Sequence, residues 1–416
     1  MSEGLGDATG VRQAVSVVLP LSLDGEPDWP RGPLPFGDER QPWDAARRGG
    51  YFAPAVTRAL YGGRWHRAVD VTVGALTLVG VEVLRVATPK EPRQALGVLH
   101  FDVVGPELLA VLRAIGRRPR AQPDPLTGEL DPAVLFAGVA DAAPPTAPFA
   151  LARPYTVAFF TPDATHTAAL RVEGRLPASA DGWLRCLAWR ATEADNPSPP
   201  ERLERVAEQA IRMSADWSAL VGRHGAAFVG HRPDGGDGDF YEFALHQART
   251  VHLDALLLGM VQRDHLDALT DELSTVFANS TGLARRVSAL ERNIALFRST
   301  YWRRHQTAHG PANGLLRAFQ EQHRMPELFA DVLAEAADLS RIVQTRDGQQ
   351  IAGALGVLTI LGLPLGTALS VLQVLGDEDP WHLLIALGAA CAATAAALTT
   401  RYGRLVLASL RSGPRG

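Results

Sequence analysis

Between Ile351 and Leu375 the chain carries no charged residue over 25 positions, and a second uncharged run of 20 residues extends from Trp381 to Thr400. As a helix the first run would reach roughly 38 Å at 1.5 Å per residue, more than the hydrocarbon core of a bilayer at about 30 Å. The joining turn, Gly376-Asp377-Glu378-Asp379-Pro380, holds three acids and no Lys or Arg. Two runs of spanning length around a tight acidic turn predict a transmembrane helical hairpin over 351–400. Arg341 and Arg346 precede it, and Arg401, Arg404, Arg411 and Arg415 follow in a basic tail, 401–416. The positive-inside bias then places both termini in the cytoplasm and the protein, as a multi-pass one, in the cell (inner) membrane. The competing reading of the two runs is a helical hairpin buried in a large core. Residues 1–10 are polar and lack the apolar segment of a secretory signal, so the front of the chain is expected in the cytosol.

The 416 residues, at about 150 per domain, predict two or three domains. With 41 Lys plus Arg against 45 Asp plus Glu, the net charge of -4 gives nucleic acid no electrostatic footing, and it is not an expected partner. Two cysteines, Cys186 and Cys391, make neither a disulfide framework nor a thiolate zinc site.

Residues 1–232 read as a mixed α+β domain with a mainly antiparallel sheet. Strand patterns fall at 14–23, 67–88 (broken at Gly74 and Gly80), 95–104, 155–161, 166–172 and 183–189. A short helix is predicted at 106–115, and residues 201–221 carry an amphipathic pattern through Leu203, Val206, Ala210, Ile211, Met213 and Trp217. The cluster Asp234-Gly-Gly-Asp-Gly-Asp239 reads as a hairpin tip whose Asp239 caps the next helix, in preference to a metal loop.

From 233 to 350 the chain reads as a long-helix stalk region. Residues 240–280 contain no proline and one glycine, Gly259, which predicts a helix of roughly 40 residues. A second helix is expected over 283–309, and a third from about 313, interrupted at Pro326. Phe329, Val332, Ala336, Leu339 and Val343 alternate by three and four, the stripe of a short coiled coil through which copies would self-associate.

In this order of parts the chain resembles the CorA-type family of divalent-cation transporters. The likeness covers about Tyr241 to Arg404. Leu358-Thr359-Ile360-Leu361-Gly362-Leu363-Pro364-Leu365 is similar to the family's first-span pattern, and Thr250 to Leu258 to its stalk-entering helix. The resemblance implies a homo-oligomeric, two-span membrane protein, with a divalent cation as the one cofactor class to consider. The family's Gly-Met-Asn signature is missing; its place falls at Gln373-Val374-Leu375, so magnesium selectivity does not carry over. Divergent two-span proteins of this kind also occur in bacterial conflict (anti-phage) systems, and the Arg-heavy composition, with the single lysine Lys90, is similar to that of high-GC bacteria.

Ala352, Gly356, Thr359, Leu363, Gly366, Ser370 and Gln373 share one face of the first run. Thr359, Gly366, Ser370 and Gln373 are the pore-lining candidates, with Asp377, Glu378 and Asp379 concentrating cations at the mouth. Small residues also let helices approach closely, and that alternative stays open. No catalytic motif is present, and an enzyme is not expected. His305, His309 and His323 lack a suitably spaced carboxylate, so no metal ligand set is assigned. His246 and His252 read as structural, and Asp254, Asp264, Asp267, Asp271 and Glu272 as a solvated helix surface. The functional expectation is a passive cation channel; the alternatives are a sensor-effector that permeabilises the membrane, and a non-conducting membrane scaffold.

Overall fold

The structure, a computed structural model, describes residues 12–37, 42–86, 88, 92–105, 107–118, 121–142, 154–163, 180–192, 195, 206, 208–276, 282–302, 306–375 and 380–399. The chain divides into two compact units, one of residues 1–271 with 293–330 and one of 272–292 with 331–416.

The first unit is built on a mixed sheet of nine strands among the described residues. Its strands are β1 (Gln13–Leu23), β2 (Arg64–Val73), β3 (Leu76–Arg85), β4 (Gln94–Val103), β5 (Ala140–Ala142), β6 (Tyr155–Phe160), β7 (Ile211–Arg212), β8 (Trp217–Val221) and β9 (Gly225–Gly230). Their order is β2-β3-β4-β1-β6-β9-β8-β7, with β5 also on β1. Every pairing is antiparallel except β6 with β9. β1 is central, which is why its residues are apolar on both faces and almost all buried.

One face of the sheet carries α3 (Leu108–Ile115) and α5 (Ala180–Trp189), over a core that includes Val15, Val17, Leu99, Phe101, Leu112, Leu184, Leu187 and Val229. Between them in sequence lies α4 (Pro132–Leu135); α1 (Ala45–Gly49) and α2 (Pro54–Tyr61) precede β2. The segment 183–189, expected as a strand, is the body of α5. Its alternation came from aromatic and apolar residues that a helix buries just as well: Leu184, Cys186, Leu187 and Ala188 all point into the core. The expected strand 166–172 lies outside the described residues.

The other face is covered by a continuous helical run of α6 (Phe240–Gln247), a π-helical turn (Ala248–His252) and α7 (Leu253–Val276). All five residues of the π turn are buried, Arg249 and His252 among them. α8 (Leu283–Thr300) follows, then α9 (Gly310–Gln322). Phe319 of α9 stacks edge-on against Tyr155 of β6 at 5.7 Å. α7 and α9 meet at Gly259, where a Cβ would lie 2.5 Å from the Phe319 ring; the helix interior holds a glycine because the ring occupies that space.

A wholly buried ion network ties this helical face to the sheet. Arg64 of β2 donates from Nε to Glu82 at 2.6 Å and from Nη1 to Asp254 of α7 at 2.6 Å. The Tyr61 hydroxyl donates to the same Asp254 carboxylate at 2.9 Å, and Arg48 lies 3.5 Å from it. Glu82 also accepts from the Leu34 amide at 2.8 Å and stands 3.4 Å from His100, whose other ring nitrogen meets Ser16 at 3.0 Å. Burial works against the Glu82 charge, yet Arg64 and His100 hold its carboxyl well below the usual range. Asp254 therefore belongs to the core and not to a solvated helix surface.

The second unit contains α10 (Met325–Leu375, its first turns in the other unit) and α11 (Pro380–Thr399). Val332, Ala336 and Leu339 of the expected stripe are buried within this one chain, as are Leu273, Val276, Leu283, Val287 and Leu290. Pro326 does not interrupt α10; it sits in the first turn, where proline is tolerated.

The expected membrane hairpin is overturned. Among the described residues no helix is long and apolar enough to cross a membrane. The expectation counted residues without charge, and an uncharged run is not the same as an apolar one. Nine of the 25 positions in 351–375 are Gly, Pro, Thr, Ser or Gln, and eight of the 20 residues of α11 are alanine. Several large apolar side chains of these helices are exposed, Ile351, Leu363, Trp381 and Ile385 among them. The readings that rested on a spanning hairpin fall with it: the multi-pass inner-membrane location, the cation channel, the membrane-permeabilising effector and the membrane scaffold.

Candidate functional site

The open polar cleft of the first unit lies at the end of the sheet formed by β7, β8 and β9. Arg212 of β7 sits directly opposite Ser218 of β8, and Ser218 opposite Val229 of β9. His231 follows β9 two residues beyond Val229, so its side chain returns to the same face as Ser218 and Arg212. The intervening residues, Trp217 and Phe228, point to the other face, where their rings meet at 5.6 Å. Alternation thus puts Arg212, Ser218 and His231 on the face that also carries Val229 of the core, and the rings of Trp217 and Phe228 on the other.

With Ala180 and Asp181 at the start of α5, and Ala210, these three residues line a cavity of about 330 Å3. That is the lower end of the range for small-molecule sites, about 300–1,000 Å3. Ser218 is only 5% exposed, and its hydroxyl makes no hydrogen bond to any described residue. Arg212 is exposed and pairs with no carboxylate among the described residues; Asp181 is half-buried and likewise pairs with no cation there.

The backbone under His231 is fixed from behind. Its amide donates to the Asp216 carbonyl at 2.7 Å and meets the Tyr241 hydroxyl at 3.1 Å, and that hydroxyl donates to the Asp216 carbonyl at 2.7 Å. Tyr241 fits there because residue 230 is glycine; a Cβ would stand 2.8 Å from the phenol. Burial lowers the His231 imidazole below its ordinary range; the Ala215 carbonyl, Asp181 and Asp216 oppose this, and Arg212 adds to it. At neutral pH the ring is uncharged.

Arg232, next in sequence, is clamped by Asp239 through two hydrogen bonds of 2.9 and 2.6 Å and by Asp216 at 3.1 Å. Asp239 does occupy the N-cap position of α6, but its carboxylate turns back to Arg232 and the Gly235 amide instead of capping the helix. Asp234 accepts from Thr161 at 2.7 Å and pairs with Arg12. The acids of this loop are spent on its own structure.

The residues singled out from the sequence lie elsewhere. Thr359, Gly366, Ser370 and Gln373 are exposed on α10, and the Thr359 hydroxyl donates to its own helix at Leu355, 2.8 Å. Asp377, Glu378, Asp379 and His305 lie outside the described residues. His309 caps α9 by accepting from Ala312, and His323 is a partly buried core ring pushed down to about 4 by burial. Among the described residues no group of three His, Cys, Asp or Glu is placed to hold a metal. Asp267 pairs with Arg263 at 3.1 Å. Burial raises the Cys186 thiol to about 11.

Arg212 and Ser218 were missed because residues 201–221 read only as an amphipathic pattern, and His231 because it falls at the domain boundary expected near 232. The usable signal was the pair of five- and six-residue apolar runs around Gly222-Arg223-His224, the mark of a hairpin. No protein-family model matches the chain, and no curated protein matches it.

Proposed function

We propose that the first unit is a receptor for a small ligand carrying an anionic group, bound without chemical conversion in the cleft between α5 and the β7–β9 edge. The observation that supports this is the convergence of an uncommitted guanidinium, an uncommitted hydroxyl and a half-buried imidazole on one cavity. Arg212 supplies the charge and a planar donor fork, Ser218 a donor from a nearly buried position, and His231 a neutral ring N–H or lone pair. The cavity walls lower the local dielectric and strengthen all three contacts.

A thermal-unfolding titration with inorganic phosphate tests it. Binding to the folded state alone stabilises by about 2.7 kcal/mol at one hundred times Kd. The melting temperature should rise saturably in the natural protein and much less in Arg212→Ala. A curve unmoved by phosphate, or moved equally in the variant, contradicts the reading.

A further inference from the structure

We infer that the ligand is a zwitterion, with its anionic group on Arg212, Ser218 and His231 and a cationic amine on Asp181. This rests on the receptor reading above and adds the second half of the ligand. Asp181 and Arg212 line the same cavity and both act electrostatically on the His231 ring, in opposite directions. Each is therefore close to one common group, yet they form no ion pair with one another or with any other described residue. Two opposite charges that line one small cavity without pairing match a molecule that carries the complementary pair.

The placement of Asp181 favours this. It stands in the first turn of α5, at the end of the helix that favours negative charge. An ionised acid beside an anion-binding site repels a simple anion, so for a monoanion the residue is a liability. For a ligand with an amine on the far side it becomes a contact. The cavity volume limits the candidates to compact molecules in which the two charges are a few bonds apart: amino acids and amine-bearing phosphate monoesters.

Calorimetry on the full chain at low salt, with two matched pairs of probes, separates the outcomes. The pairs are β-alanine against propionate and phosphoethanolamine against ethyl phosphate. In at least one pair the amine-bearing probe should bind about tenfold more tightly, the worth of one hydrogen bond to a charged group. Asp181→Asn should erase that advantage by weakening the amine-bearing probe and, with the repulsion gone, binding the amine-free probe somewhat more tightly; Arg212→Gln should weaken both members. The better pair tells a carboxylate ligand from a phosphate one. If the amine-free probes bind equally well, the zwitterion inference fails and the receptor reading stands. An amine preference that survives Asp181→Asn overturns the assignment to Asp181. If none of the four binds, the receptor reading fails and this inference with it. Unfolding curves of both variants establish that they are folded.

Discussion

Single side chains decide the geometry at two places. At Gly259 the Phe319 ring fills the space a side chain would need, so Gly259→Ala should destabilise the first unit by about 1–3 kcal/mol despite alanine's better helix propensity. Urea unfolding checks this, and a variant as stable as the natural protein would show that α7 and α9 do not meet as described. At His231 the lowered imidazole gives a pH dependence with a defined sign. The ring is neutral above the ordinary imidazole range and becomes cationic only below it, so affinity for ethyl sulfate, whose charge does not change in this range, should be flat above pH ~6.5 and climb as pH falls. An affinity that falls on acidification would argue against His231 as a contact. Asp254 illustrates what single residues conceal in sequence. It stands among several acids on a helix, and nothing local tells it from its neighbours. Its partners Arg48, Tyr61 and Arg64 come from segments about 190 to 206 positions away, brought together only by the fold.

Among the elements, strands with clear alternation or long apolar runs were legible: the segment expected at 14–23 is β1, and that at 95–104 is β4. What failed were short segments whose apolar residues fit either period. Residues 183–189 alternate yet form a helix, and the amphipathic pattern over 201–221 hides β7 and β8, because a two-residue strand has too little length to show a period. The ion network is an inter-element device, and its removal should be costly. Arg64→Met leaves Glu82 and Asp254 buried without their main partner, a loss of about 3–5 kcal/mol. Chemical denaturation measures it. A loss under 1 kcal/mol would mean that water reaches the network.

Over the whole molecule, buried histidines tie stability to pH. Burial lowers His252 to about 3 and His265 and His323 to about 4, whereas in the unfolded chain each titrates near 6.5. The folded state refuses protons that the unfolded state accepts, so stability is full above about pH 6.5 and is lost as pH falls toward 4. Each ring contributes about 1.4 kcal/mol per pH unit in that window, about 4 kcal/mol per unit for the three. Equilibrium unfolding between pH 4 and 7 should show this slope; a flat profile would place the rings in contact with solvent. At the same scale the C-terminal helices misled because absence of charge was taken for lipid solubility. Their elements, α10 and α11, were legible from the proline-poor runs; their environment was not. The cleft was illegible because its four polar residues come from four separate places, α5, β7, β8 and the end of β9, with no shared motif.

The receptor account is tested most directly by NMR of histidine-labelled protein titrated with ethyl phosphate. The His231 ring resonance should shift saturably while those of His252, His265 and His323 stay in place, and Arg212→Gln should abolish the shift. A His231 signal that never moves, or one that moves only in step with the other three histidines, contradicts the account.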